Sequence, residues 1–279
     1  MQKIEFNIVP VADYEKLNEE QVCEFQTMIT CIKEHDLVCI PQEFYMEKDC
    51  NNKCFLDIMT ERNDSLIQLF TDLILKQANT DVRYEDIIKK CEKDEVAFAA
   101  VLDNYHKKYS GNYTICKREE LPKIKRVYLK RYNTYKDFCE RAEQCYPNLL
   151  FHEHCFEPIK CLGEYRENIE ELDKNLSALN DFGSKIYWSE RGNEANALNK
   201  LASQCSVICS GKGSNESKSF KIKYIQKGEN ESNNEIELTC NPHLKLFHSG
   251  TNKRIYFCWG RNEIENHKII VARIGDHWR

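Results

Sequence analysis

Three segments near the C-terminus carry the side chains best suited to chemistry: His243-Leu-Lys-Leu, Arg254-Ile-Tyr-Phe, and Ile269-Ile-Val-Ala-Arg-Ile-Gly-Asp-His277. Alternate residues of a β-strand point to opposite faces. His243 and Lys245 therefore share one face while Leu244 and Leu246 share the other. Arg254 and Tyr256 likewise share a face, with Ile255 and Phe257 behind them. Arg273 lies near the end of the last segment, followed by Gly275, Asp276 and His277. One sheet face can thus collect His243, Lys245, Arg254, Tyr256, Arg273 and His277 over an apolar reverse that lies on a helix. Lysine and arginine hold a phosphate and stabilise charge developing on it, and histidine moves protons near neutral pH. Cleavage of RNA by its own 2′-hydroxyl needs only such groups, with no metal and no protein nucleophile. The same alternation also suits a nucleic-acid-binding face without catalysis, or an ordinary solvated face of a half-buried sheet.

A second candidate lies mid-chain. Between Lys117 and Lys136, basic residues including Lys125, Arg126, Lys130 and Arg131 outnumber the acidic ones and are interleaved with Tyr128, Tyr132 and Tyr135. Cations can neutralise phosphates and tyrosines can stack on bases; a helix with a solvated charged face gives the same pattern. A third set, His152, His154, Cys155 and Cys161, has zinc-competent side chains at close spacing, or is simply a run of buried thiols and surface imidazoles. No phosphate loop, dinucleotide glycine pattern, nucleophile elbow or HExxH helix is present. Gly211-Lys212-Gly213-Ser214 lacks the first glycine and the preceding strand of a phosphate loop. No cofactor or metal is expected.

Positioning these residues requires a folded chain of some size. At 279 residues with 41% hydrophobic and 30% charged content, it can bury one large or two ordinary cores. A net charge of −5 gives no general attraction to nucleic acid or anionic membrane, so any such contact must be local. No apolar run approaches the ~20 residues that cross a bilayer. The opening residues alternate Ile4, Phe6 and Ile8 as a strand does, unlike a signal peptide. A cytoplasmic location is expected, with the 15 cysteines reduced.

Asn18 with Gln21 reads as a capping box opening a helix with Val22, Phe25, Met28, Ile29 and Ile32 on one side. Leu37–Ile40 reads as a strand, and Leu66, Ile67, Phe70, Leu73 and Ile74 as a helix stripe. Helical patterns are expected around Tyr84–Cys91 and Val96–Tyr105, then from Tyr132 to Cys145. The clearest helix spans Glu164–Leu179, closed by Asn180 and Gly183, and a shorter one covers Glu194–Ala202. Beyond the 210–215 loop the period changes to two: Phe220, Ile222 and Tyr224, then Ile236, Leu238 and Cys240, joined through Glu229–Asn234. The fold class predicted is α+β: a mostly helical N-terminal domain, 1–183, and a helix plus small antiparallel-sheet domain, 184–279.

On the three C-terminal segments, this domain resembles the RelE/HigB/ParE toxin superfamily of ribonuclease-like folds. In that resemblance His243 and Lys245 match a basic pair on one strand. Arg254 and Arg273 match arginines on the next strand and the last, and His277 matches the terminal acid/base. The tail also resembles uncharacterised bacterial mobile-element and phage-defence proteins. The resemblance implies a metal-independent endoribonuclease of toxin–antitoxin or phage-defence type; the partners expected are RNA or DNA and a protein encoded in the same operon, with no membrane partner. The alternative is a non-catalytic regulatory subunit of such a complex.

Overall fold

The computed structural model describes residues 3–62, 64–91, 93, 95–111, 113–211, 221–226, 234–262 and 264–277. The fold is α+β, in two compact units, 1–128 and 129–279. Phe220, the 212–215 part of the glycine-lysine loop and the 229–233 part of the hairpin connection lie outside the described residues. Among those described, no helix is long and apolar enough to cross a membrane.

The first unit runs β1 (Glu5–Ile8), α1 (Glu19–Lys33), β2 (Leu37–Pro41), α2 (Phe55–Glu61), α3 (Ser65–Leu75), β3 (Ala78–Thr80), α4 (Tyr84–Cys91), β4 (Val96–Ala99), β5 (Thr114–Ile115) and α5 (Leu121–Leu129). The capping box forms as expected: the Gln21 amide donates to Asn18 Oδ1 at 3.0 Å, and the Asn18 amide to Gln21 Oε1 at 3.3 Å. Val22, Phe25, Met28, Ile29 and Ile32 are buried on one side of α1. The five strands form one parallel sheet in the order β3-β2-β1-β4-β5, with Phe6 opposite Val38 on one side and Ala97 on the other. The N-terminal part therefore holds a full sheet, more than the one or two strands its sequence pattern suggests. Val96–Ala99 is its clearest departure from expectation: a strand, not a helix. All four of its residues are buried, and a strand covered on both faces loses the alternation that betrays a strand.

The second unit runs α6 (Tyr135–Cys145), β6 (Leu149–Phe151), α7 (Tyr165–Ala178), α8 (Ser184–Ser189), α9 (Glu194–Cys205), β7 (Ile208–Ser210), β8 (Lys221–Gln226), β9 (Asn234–Thr239), β10 (His243–Lys245), β11 (Lys253–Cys258) and β12 (Ile269–Asp276). Asn180 and Gly183 do not end α7. Residues Leu179–Gly183 form a π-helical turn that carries the chain straight into α8. The Asn180 side chain accepts from the Asn148 amide at 2.8 Å, and its carbonyl accepts from Asn148 Nδ2 at 3.1 Å, so the widened turn finds its partners outside the helix. Gly183 permits close approach to the sheet, since a Cβ there would lie 2.5 Å from Ile269 Cδ1. The boundary expected near Ser184 thus falls within continuous helix, and the division lies at 128/129 instead.

The main sheet has the order β6-β12-β11-β10-β7, antiparallel except for the parallel β6–β12 pair. Its apolar face, with Leu244, Ile255, Phe257, Val271 and Ile274, packs on Ile169, Leu172, Leu176 and Ile186 of the helices, as anticipated. The β8–β9 ladder is a separate two-stranded sheet. Ile222 and Leu238 from it share a small core with Tyr256, Cys258, Ile270 and Ala272 on the opposite face.

Candidate functional site

Register decides which side chains of the C-terminal segments meet. His243 lies opposite Tyr256, and Tyr256 opposite Arg273, so these three form a row across β10, β11 and β12. Lys245 opposes Arg254, and Arg254 opposes Gly275, in the adjacent row on the same face. His277 follows the last strand. Its amide donates to the Asn252 carbonyl at 2.8 Å, and its ring lies 6.2 Å from that of Tyr256, edge to face. The His243 ring is 5.1 Å from Tyr256 on the other side. All six predicted residues therefore occupy one face.

Their access to solvent differs. Tyr256 is 0% and His243 4% exposed, whereas Lys245, Arg254, Arg273 and His277 are half-buried. His243 Nδ1 lies 3.0 Å from the Asn241 carbonyl. Arg254 donates Nη1 to the Thr251 carbonyl at 3.2 Å, and its buried Nε has no hydrogen-bond partner among the described residues. Lys253 pairs with Asp276 at 2.7 Å, and this hydrogen bond holds the Asp276 carboxyl below the usual carboxylate range.

Beside this face lies a cleft of about 420 Å³ between the 152–157 turn, the β8–β9 hairpin and β12, with Arg273 in its wall. The turn reaches β12 because Val271 pairs with Phe151 and its carbonyl accepts the His152 amide at 3.0 Å. His152 Nε2 sits 3.2 Å from the Lys223 carbonyl, tying the turn to the hairpin. The His154 ring lies between Glu157 Oε1 at 2.8 Å and Glu153 Oε1 at 3.2 Å. Sequence spacing offers His152, His154, Cys155 and Cys161 either as zinc ligands or as buried thiols and surface imidazoles. Cys155 instead points into the core, fully buried, and burial pushes its thiol far above the ordinary value. Cys161 lies beside Asp276 and Lys253. Among the described residues, no three His, Cys, Asp or Glu side chains group as metal ligands do.

The basic stretch does not present one surface. Lys125 Nζ pairs with Asp36 at 3.1 Å, their side chains 6% and 2% exposed, and Arg126 is 8% exposed. Tyr128 is fully buried, its hydroxyl donating to the Val96 carbonyl. Tyr132 lies under the Arg141 guanidinium, 4.7 Å from the ring centre. Lys130 remains accessible beside Asp173 at 3.5 Å, and Arg131 is half-buried. Helix α5 needs an inward stripe, so positions that read as a cationic run divide between core and rim.

In the first unit, strand order reverses between β1 and β4, where parallel sheets commonly take ligands at the strands' carboxyl ends. Here the chain closes that crevice itself. Val11 bridges to Tyr105, and the Asp13 amide donates to Asn104 Oδ1 at 3.0 Å. Asp13 and Asp49, the nearby carboxylates, are occupied by Lys16 and by backbone amides. Compared with known proteins, the chain matches no family model, no curated protein and no solved structure.

Proposed function

We propose that the protein is nucleic-acid-directed and that the half-buried polar rim of the second unit's sheet handles a phosphodiester. Such an activity suits a metal-independent endoribonuclease of toxin or phage-defence type. The observation that carries this reading is the double row, His243–Tyr256–Arg273 beside Lys245–Arg254, with His277 edge-on to Tyr256. Arg254, Arg273 and Lys245 are the groups for the phosphate. His277 is the proton carrier with solvent access. Tyr256 and His243, being buried, support that rim from beneath and do not meet substrate.

The test is growth inhibition on expression, together with RNA cleavage by the purified chain. His277→Ala should slow cleavage by about 10²–10⁴-fold, the usual worth of a general acid or base. Arg254→Ala with His277→Ala should relieve toxicity while folding is kept. Activity should survive a chelator, because the mechanism uses no divalent ion. Equal toxicity of wild type and folded double mutant would refute it. The burial of two of the six residues favours a second reading, a non-catalytic subunit that holds a protein or RNA partner. In that case the chain binds RNA without cutting it.

A further inference from the structure

We propose that the cleft beside Arg273 seats a single unpaired nucleobase bearing an exocyclic amine, with its phosphate against the arginine; this rests on the phosphodiester reading above. A volume of about 420 Å³ is within the range of pockets that enclose small molecules, about 300–1,000 Å³. Arg273 belongs to both cleft and sheet face, so a chain whose phosphate reaches the face has its neighbouring nucleoside at the cleft.

The walls specify the base. Glu153, Glu157 and Glu237 contribute carboxylates: the first two place Oε1 beside the His154 ring, and Glu237 pairs with Lys221 through Oε1. An ionised carboxylate only accepts hydrogen bonds. The matching bases are those that donate an N–H₂ group: cytosine at N4, adenine at N6 and guanine at N2. Uracil carries no such group; its single edge donor, N3–H, is flanked by two carbonyl oxygens that a carboxylate repels. The imidazoles of His152 and His154, with centroids 5.5 Å apart, offer ring faces of the kind on which unstacked bases rest in single-stranded recognition. A base inside the cleft must leave its own stack, which selects single strands over duplex.

The test uses the full chain and fluorescence anisotropy with labelled oligocytidylate, oligoadenylate and oligouridylate. Cytidylate and adenylate should bind about 5- to 100-fold more tightly than uridylate, as expected of a correct base-edge contact. Glu157→Gln combined with Glu237→Gln should abolish that preference by tightening uridylate or weakening the others, since an amide donates as well as accepts. Both side chains are more than half exposed, so the variant should keep its fold, checked by its melting curve. Arg273→Ala should weaken all three equally. Equal affinity of the wild type for all three, or a preference that survives the double glutamine variant, would overturn the base assignment. The phosphodiester reading would then still stand on Arg254 and His277. Failure to bind any oligonucleotide would overturn both.

Discussion

Asn104 and Asp13 clasp each other across the top of the parallel sheet. The Asp13 amide donates to Asn104 Oδ1 at 3.0 Å and Asn104 Nδ2 donates to the Asp13 carbonyl at 2.9 Å, joining positions 91 residues apart. One side chain thus satisfies both backbone groups of a buried residue, in the crevice where such sheets usually receive ligands.

Asn104→Ala should therefore cost much more than a surface substitution. Each orphaned backbone group costs about 1–3 kcal/mol, and both belong to Asp13. Urea unfolding should show a lowered midpoint. Asn104→Asp should not recover it, because a carboxylate cannot donate to the Asp13 carbonyl. A midpoint unchanged in the alanine variant would show the clasp to be dispensable.

Lys125→Met should destabilise the chain by about 3–5 kcal/mol, because it leaves Asp36 buried without its counterion. Asp36 also accepts the Ile4 amide at 3.0 Å, so the lost charge partner disturbs the start of β1. Replacing Asp36 and Lys125 together by apolar residues should recover much of the loss. Calorimetry on the three variants decides the matter, and a neutral Lys125→Met would mean that the pair is solvated.

If the rest of the basic stretch contacts nucleic acid, only its accessible members do so. Lys130→Gln with Arg131→Gln should reduce the salt dependence of RNA binding, by about 0.7 in log–log slope for each lost phosphate contact to a single strand. A slope identical to wild type would leave these residues as a solvated helix face.

The thiols make stability fall in alkali. Burial pushes Cys39, Cys116 and Cys139 up to about 11, and Cys209 up to about 12, from an ordinary value of 9.0. Between those values the unfolded chain releases protons that the folded chain keeps, so unfolding is favoured as pH rises. Stability contributed by these thiols is complete below pH 9.0 and is lost as pH passes through 11 to 12. Urea midpoints should drop across that window, less steeply in a variant with all four changed to alanine. An equal slope would assign the effect to other groups, the buried Cys155 thiol and the buried tyrosines among them.

Much of this was legible in the sequence. The Asn18–Gln21 box, the α1 stripe and the alternation of β10 to β12 each follow from a local pattern whose partners lie within a few residues. Strand period alone sorts His243, Lys245, Arg254 and Tyr256 to one face, whereas Arg273 joins them only because the β11–β12 register shifts between Tyr256 and Phe257; strict alternation would place it with Val271. Val96–Ala99 was not, because burial on both sides erases the period. Lys125 was not, because a charge reaching 89 positions back to Asp36 leaves no local trace. The cleft was hidden for the same reason: His152 and Arg273 line it together because β6 pairs in parallel with β12 and the Ile274 amide donates to the Cys155 carbonyl.

That pairing also sets an order of assembly. Strand β12 is bonded to β6 on one side and β11 on the other, so it is the keystone of its sheet and the last part of it to be synthesised. On the ribosome the second unit must wait, its helices made but their apolar stripes uncovered, until the chain through Asp276 has emerged. Among the described residues, the first unit's core is made of residues up to Tyr128, so it can close while the rest is still being translated. The nascent second unit is therefore the stage at which a chaperone would find exposed hydrophobic surface to hold.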